Sequence, residues 1–287
     1  MSQLEAIRAE YDRNAGRYEK HAALESEVGK RLLERVAFGR GEPGVVLDLG
    51  CGTGTATAAL KKTLRKSSVI GLDVSGGMLS EAGRKSRLTR PVRWVRGDMN
   101  SLPLAQYSVD LVISNLAMPW LEGFGTLFDE VRRVLKPDGM FLFSTIGPAS
   151  FSQVYEAMSQ TTDDFERPGF PDLLEVGDAL TAAGFMEPVM DVDFLTLHYP
   201  GIAALAEELE ATGASLLFPH WSRLKQRLGQ AEDAWSTMEE GRYPLAYEVI
   251  YGAAFGPPEG QPRRTKDGEI ATFSVDRLVK SRNLGYD

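Results

Sequence analysis

The amino-acid sequence predicts an α/β fold built on a doubly wound, mainly parallel sheet. From Val45 to Gly147, short apolar runs suited to buried strands alternate with helix-patterned stretches. The first of these runs, "VVLDLGCGTGTATAAL", passes from apolar residues through three glycines at alternate positions straight into helix formers. That is the layout of a strand–loop–helix unit holding a small ligand at a strand's end. Composition agrees with one sizeable core: the chain has 287 residues, 43% hydrophobic and 25% charged.

Each element follows in order. Residues 19–38, "EKHAALESEVGKRLLERVAF", place Ala22, Val28, Leu32, Leu33 and Val36 roughly on one face and predict an amphipathic helix. "GEPG" breaks the chain before a first strand, Val45–Leu49, and 55–66 is helical. "SSVIGLDVS" is a second strand, "GGMLSEAGRKSR" a helix, "VRWVRGDM" a third strand and "SVDLVISNLAM" a fourth, buried one. "GFGTLFDEVRRVLKPDG" reads as a helix closed by a turn at Pro137 and Gly139, and "MFLFSTIG" as a fifth strand. Later, "PDLLEVGDALTAAGF" is a helix with a glycine stop, while "PVMDVDFLTLHYP" and "LAYEVIYGAAF" are strands. Gly201–Tyr243, between those two strands, is far longer than a hairpin turn and mostly helical in pattern. A small helical lid is therefore expected from 201–243 together with the polar stretch 149–172. On this reading 1–148 holds the N-terminal helices and ligand-binding core, 173–200 and 244–256 complete that core, and 257–287 is a polar tail.

Bulk properties exclude several functions. A net charge of −8 argues against general affinity for nucleic acid or anionic membranes. No apolar run approaches the roughly 20 residues needed to cross a bilayer. The polar, acid-bearing start "MSQLEAIRAEYDRNAG" resembles neither a secretory signal nor a transit peptide. One cysteine, Cys51, and three scattered histidines, His21, His198 and His220, predict no disulfide and no metal site, and fit a cytoplasmic protein.

The glycine loop then poses the question of its ligand. Gly50, Gly52 and Gly54 form G-x-G-x-G rather than the G-x-G-x-x-G of dinucleotide loops, and no P-loop lysine follows. Asp48, on the strand before the loop, would repel a phosphate; it suits a cationic ammonium group or a role in holding the loop. Asp73 ends the second strand, where a carboxylate can accept from a ribose diol. Asp98 ends the third, placed to accept from an adenine amine, and Met78 and Met99 offer polarizable faces to the ring. The implied ligand is a nucleoside joined to a cationic amino acid without phosphate, which describes S-adenosylmethionine.

"LDLGCGTG", "GLDVSGGML", "GDMNSLPL" and "EVRRVLKPDGMFLFST" resemble the successive motifs of class I (Rossmann-like) S-adenosylmethionine-dependent methyltransferases. That resemblance implies a cofactor site of Tyr18, Asp48, Gly50, Cys51, Gly52, Asp73, Val74, Met78, Asp98, Met99, Asn115 and Leu116. It also implies a seventh, antiparallel strand beside the fifth, without metal. The flanks "DRNAGRYEKHAALESEVGKRLLERV", "ISNLAMPW", "FSTIGP" and "YEVIYGAAFGPP" are similar in order to the malonyl-acyl carrier protein O-methyltransferases that start pimeloyl synthesis for biotin. Glu25 stands where many relatives have glutamine, and the stretch after "FSTIGP" lacks an arginine for the malonyl carboxylate, leaving its receiver open.

Such an acceptor is already ionised at neutral pH and needs no general base, only alignment and loss of water. Tyr18 and Trp120 are the candidate catalytic-pocket residues: Tyr18 as a hydrogen-bond partner of the carboxylate or the cofactor amine, Trp120 as an apolar wall. Asn115 is expected to shape the cofactor pocket. Cys51 reads as a small packing residue rather than a nucleophile. Acidic carrier proteins call for a local basic face, for which Arg223, Lys225, Arg227, Lys30 and Arg31 are candidates. The rival readings are a methyltransferase for another small acid, a complex I assembly factor acting as hydroxylase or scaffold, and a non-catalytic cofactor-binding module.

Overall fold

The computed structural model describes residues 2–86, 89, 91–121, 123–159, 167–230, 235, 241–258, 263–265 and 268–270. The chain opens with three helices, α1 (Gln3–Asn14), α2 (Tyr18–His21) and α3 (Ala23–Glu34). The core then runs β1 (Val45–Leu49), α4 (Thr55–Thr63), β2 (Ser68–Asp73), α5 (Gly76–Gly83), β3 (Val92–Arg96), β4 (Val109–Asn115), α6 (Gly125–Val134) and β5 (Leu135–Ile146). After it come α7 (Ser152–Ser159), α8 (Leu173–Ala182), β6 (Met186–Tyr199), α9 (Ile202–Ala211), α10 (Trp221–Gln230) and β7 (Tyr243–Phe255). A short hairpin, β8 (Arg263–Thr265) with β9 (Gly268–Ile270), falls within the tail; most of 257–287 lies outside the described residues, as do 160–166 and most of 231–240 of the expected lid.

Seven strands form one sheet in the order β3-β2-β1-β4-β5-β7-β6. β1 to β5 run parallel, and β7 is antiparallel to both β5 and β6. Strand alternation divides the core between the two faces. Leu111, Ile113 and Leu142 join α3, α4 and the α9–α10 excursion on one side. Val112, Phe141 and Phe143 meet Leu127, Phe128 and Val131 of α6 and Val176 and Leu180 of α8 on the other. Each such fully buried side chain contributes about 1.5–3 kcal/mol. The excursion between β6 and β7 shares its core with α3 and β7, through Leu205, Leu209, Leu224, Leu228 and Tyr247.

Two local features differ from the sequence reading. The single helix expected over 19–38 is broken at Ala22, whose φ −84° and ψ 51° are non-helical, and ends in a 3-10 turn at Arg35–Phe38. The break separates α2, which packs on α9, from α3, which packs on β4 and β5. The turn expected at Pro137–Gly139 is absorbed into β5 as a bulge, with Asp138 at φ 59°. The N-terminal stretch is a helix, α1, with a reciprocal Ser2–Glu5 capping box. Among the described residues no helix is long and apolar enough to cross a membrane, and no cluster of His, Cys, Asp and Glu could hold a metal ion.

Candidate active site

The site forms where β1, β2, β3 and β4 end. The glycine loop leaves β1 and is tied at once to the neighbouring strand, since the Gly50 and Cys51 N–H groups both donate to the Leu72 carbonyl, at 2.9 and 3.0 Å. Gly50 has φ 72°, and a Cβ there would lie 2.4 Å from that of Ala117. Only glycine lets the β1 and β4 ends approach so closely. Gly52, at φ 53°, faces open space instead. Its N–H donates to Asp73 Oδ2 at 2.8 Å, while the Ser75 N–H donates to Oδ1 at 2.8 Å. Asp73 thus joins the loop to the start of α5 and keeps one further lone-pair direction on each oxygen. Burial raises its pKa, against the pull of those two N–H groups.

These backbone features border a cavity of about 740 Å³. Of the residues expected to bind cofactor, Tyr18, Gly50, Gly52, Asp73, Val74, Asp98, Met99, Asn115 and Leu116 line it. Asp98 Oδ1 accepts from the Asn100 N–H at 2.8 Å, which fixes the carboxyl at the end of β3. Leu116 sits at φ 50°, a conformation costing a non-glycine residue about 1 kcal/mol or more, held by its N–H donating to Ser144 Oγ at 3.0 Å. Asn115 Oδ1 accepts from the Ser144 hydroxyl at 3.0 Å, and its Nδ2 donates to the Glu25 carbonyl at 2.9 Å. Both ends of that amide are therefore spent on joining β4, β5 and α3.

Three residues of the expected set do not line the cavity. Asp48 is buried beneath the loop, where it accepts from the Thr57 hydroxyl at 2.5 Å; burial above all raises it to about 7. This geometry serves its loop-holding role and gives no route to an ammonium group. Met78 is fully buried, its N–H capped by Ser75 Oγ, which leaves Met99 alone of the two methionines at the cavity wall. Cys51 is buried, and that burial pushes its thiol well up, away from nucleophilic character.

The cavity also has a cover that the sequence reading missed. Ser2, Gln3, Leu4, Ile7 and Tyr11 line it from α1 and its N-cap. Asp12 anchors that helix, accepting from Ser75 Oγ at 2.6 Å and the Gly77 N–H at 2.8 Å. The signals were present in the Ser2–Glu5 spacing and in apolar Leu4, Ile7 and Tyr11 at helical intervals. Tyr11 lies between the two expected pocket residues: its ring centroid is 5.6 Å from Trp120, edge to face, and 6.2 Å from Tyr18. Burial lifts the Tyr11 and Tyr18 hydroxyls well above their ordinary range, so both stay protonated. α2 is clamped in turn by Glu19, which pairs with Lys85 as that lysine donates to the Thr53 carbonyl at 2.6 Å.

The donor set fits S-adenosylmethionine. The carboxyl groups of Asp73 and Asp98 offer free lone pairs, apolar Val74, Met99 and Leu116 offer ring contacts, and no Lys or Arg is among the described lining residues to attract phosphate. The expected basic face is divided. Lys30 and Arg31 pair with Glu27, Arg31 also with Asp193 at 3.0 Å, and Lys225 with Glu210 at 2.7 Å. Arg223 and Arg227 carry no ion pair among the described residues, and Arg223 is exposed.

A family model described as a methyltransferase domain matches residues 47–143, the span from β1 into β5. Malonyl-acyl-carrier-protein O-methyltransferase of Methylovorus sp. is 38% identical over 261 residues, covering 88% of each chain. Its counterpart in Xylella fastidiosa is 36% identical over 284 residues, covering 96% of each. Among solved structures, the YcgJ protein of Bacillus subtilis gives a TM-score of 0.57 at 21% identity, covering 81% of this chain and 99% of its own. At that identity the likeness is one of fold.

Proposed function

The chain belongs to the malonyl-acyl-carrier-protein O-methyltransferase family, and on that premise we propose that it methylates the free carboxylate of malonyl-acyl carrier protein. S-adenosylmethionine is the methyl donor and, when bound, supplies an electrophilic sulfonium methyl group. The resulting ester begins pimeloyl synthesis for biotin. The observation that carries this reading is sequence identity of 36–38% along nearly the whole chain, including the helices and excursion outside the 47–143 domain.

The residues of the site act by holding and drying. Asp73 and Asp98 receive the ribose hydroxyls and the adenine amine through their unspent lone pairs. The open backbone at Gly52 admits the amino-acid end, and Met99 and Val74 flank the base. Tyr11, Tyr18 and Trp120 form an aromatic gate that keeps water from the acceptor oxygen, whose nucleophilicity rises as its hydration is removed. No base is required, because the acceptor arrives ionised. Arg223 and Arg227 on α10 meet the acidic carrier protein, while Lys30, Arg31 and Lys225 are engaged in pairs of their own and contribute less.

Incubation with labelled cofactor and malonyl-acyl carrier protein, malonyl-coenzyme A or free malonate tests the assignment. Transfer to the carrier-bound group above the other two is expected. Equal transfer to free malonate would favour a small-acid methyltransferase instead.

A further inference from the structure

A second, small cavity of about 50 Å³ adjoins the large one and shares Tyr11, Tyr18, Leu116 and Trp120 with it. It reaches Ile146 at the end of β5 and Tyr247 of β7, on the opposite side of the β4 end from Asp73 and Asp98. A single water needs roughly 10–15 Å³ of such space, so the cavity takes a few heavy atoms, such as a carboxyl group, rather than a whole metabolite.

Two acids face it. Glu208 of α9 is engaged: its Oε1 accepts from the Tyr199 hydroxyl at 2.6 Å. Glu25 of α3 is only partly engaged: its own backbone N–H supports the carboxyl, but Oε2 is fully buried without a hydrogen-bond partner among the described residues. Such an atom costs about 1–3 kcal/mol to leave unsatisfied. The other titratable groups around Glu25 are Tyr11 of α1, Tyr18 of α2 and Tyr247 of β7, and burial keeps all three hydroxyls protonated. Among the described lining residues there is no Lys, Arg or His. Burial above all, with a smaller push from Glu208, raises the Glu25 carboxyl to about 7.

Building on the methyl-transfer reading above, we propose that this small cavity seats the acceptor's carboxylate, and that Glu25 donates a hydrogen bond to it through a proton on Oε2. A carboxyl–carboxylate hydrogen bond is charge-assisted and short, so it orients the acceptor without any cation. The arriving negative charge strengthens Glu25's hold on its own proton, because two close carboxylates cannot both stay ionised. The proton remains on Glu25 throughout. Once the acceptor is esterified its charge is gone, the hydrogen bond weakens to an ordinary one, and the product leaves more readily than the substrate.

The test is kcat and KM for malonyl-acyl carrier protein from about pH 6 to about pH 9, in the wild type, Glu25→Gln and Glu25→Ala, with calorimetric cofactor affinity for each. Wild-type kcat/KM should fall about tenfold per pH unit above about 7. Glu25→Gln keeps a donor that cannot ionise, so its kcat/KM relative to the wild type should climb by the same factor per unit. Glu25→Ala should raise KM about tenfold, with cofactor affinity intact. A wild-type rate that rises with pH, coupled to weakened cofactor binding in Glu25→Gln, would overturn the proposal and make Glu25 an anion holding a cation. A flat wild-type profile with KM insensitive to Glu25→Ala would overturn it too. A wild type that binds cofactor yet methylates no malonyl thioester at any pH sinks the functional reading itself, and no Glu25 variant can mimic that result.

Discussion

Asp73 and Glu25 border one continuous site, yet they are held in opposite ways. Both oxygens of Asp73 already accept backbone N–H groups at 2.8 Å, from Gly52 and Ser75, which are close in sequence or on the adjoining strand's loop. Glu25 has a buried oxygen with no such partner among the described residues, and its surroundings come from α1, α2, α9 and β7, elements spread along nearly the whole chain. The proposed cofactor half is thus preorganised by backbone geometry. The proposed acceptor half is assembled by packing and leaves a buried polar atom without a partner among the described residues. A methyl donor can be held by such backbone geometry, whereas an acceptor pocket built from side chains can be changed by substitution without breaking the loop.

The largest expected effect concerns what underlies the cofactor half. Asp48 is raised to about 7 in the folded protein, burial being the main cause, whereas the unfolded residue titrates near about 4. Between those values the native state binds more protons than the unfolded one, so stability falls as pH rises through that window. The full span of about three units corresponds to about 4 kcal/mol. In urea unfolding, Asp48→Asn should therefore gain on the wild type by up to that amount (about 4 kcal/mol) between about pH 4 and about pH 8. A constant difference across that range would mean that Asp48 is not a neutral buried acid.

Asp73→Ala comes next. It strands the Gly52 and Ser75 N–H groups and removes the acceptor for the ribose, so cofactor affinity should drop about 100-fold by calorimetry, or about 3 kcal/mol. Unchanged affinity would break the assignment of the cofactor half. Smaller again is Trp120→Leu, which removes the edge-to-face contact with Tyr11. It should lower kcat/KM for the acceptor about fivefold, in line with about 1 kcal/mol for an aromatic pair, and leave cofactor affinity nearly untouched. If the cofactor affinity fell equally, the two halves would not be separable.

The smallest effect is that of docking. Arg223→Glu with Arg227→Glu should raise KM for the carrier by a few-fold, with the loss shrinking as salt shortens the Debye length below about 8 Å. A salt-independent loss would point to packing on α10 instead of steering.

Legibility followed the same division. β1 matches the expected Val45–Leu49 residue for residue, and Gly50, Asp73 and Asp98 were each placed by counting to a strand's end. Met78 was not: its position at the start of α5 suggests a ring contact, but the helix turns that side chain into the core. Tyr11 went unnoticed because a helix at the N-terminus is recognised as a cover only once its landing place on Ser75 and Gly77 is known.

By itself the sequence determined the alternation of strands and helices, the glycine loop and the carboxylates at successive strand ends. All of these arise from interactions within a strand, its turn and the helix that follows, where spacing along the chain dictates spacing in the fold. Tertiary structure alone decided that Asp48 lies under the loop, that α1 closes the cavity, and that Glu25 meets Tyr247 and Glu208 around an unfilled space. Those contacts join residues up to some 220 positions apart, and their burial depends on how whole elements pack. Burial is also what sets the protonation of Asp48 and Glu25, so the charge that each carries was beyond reach until the packing was known.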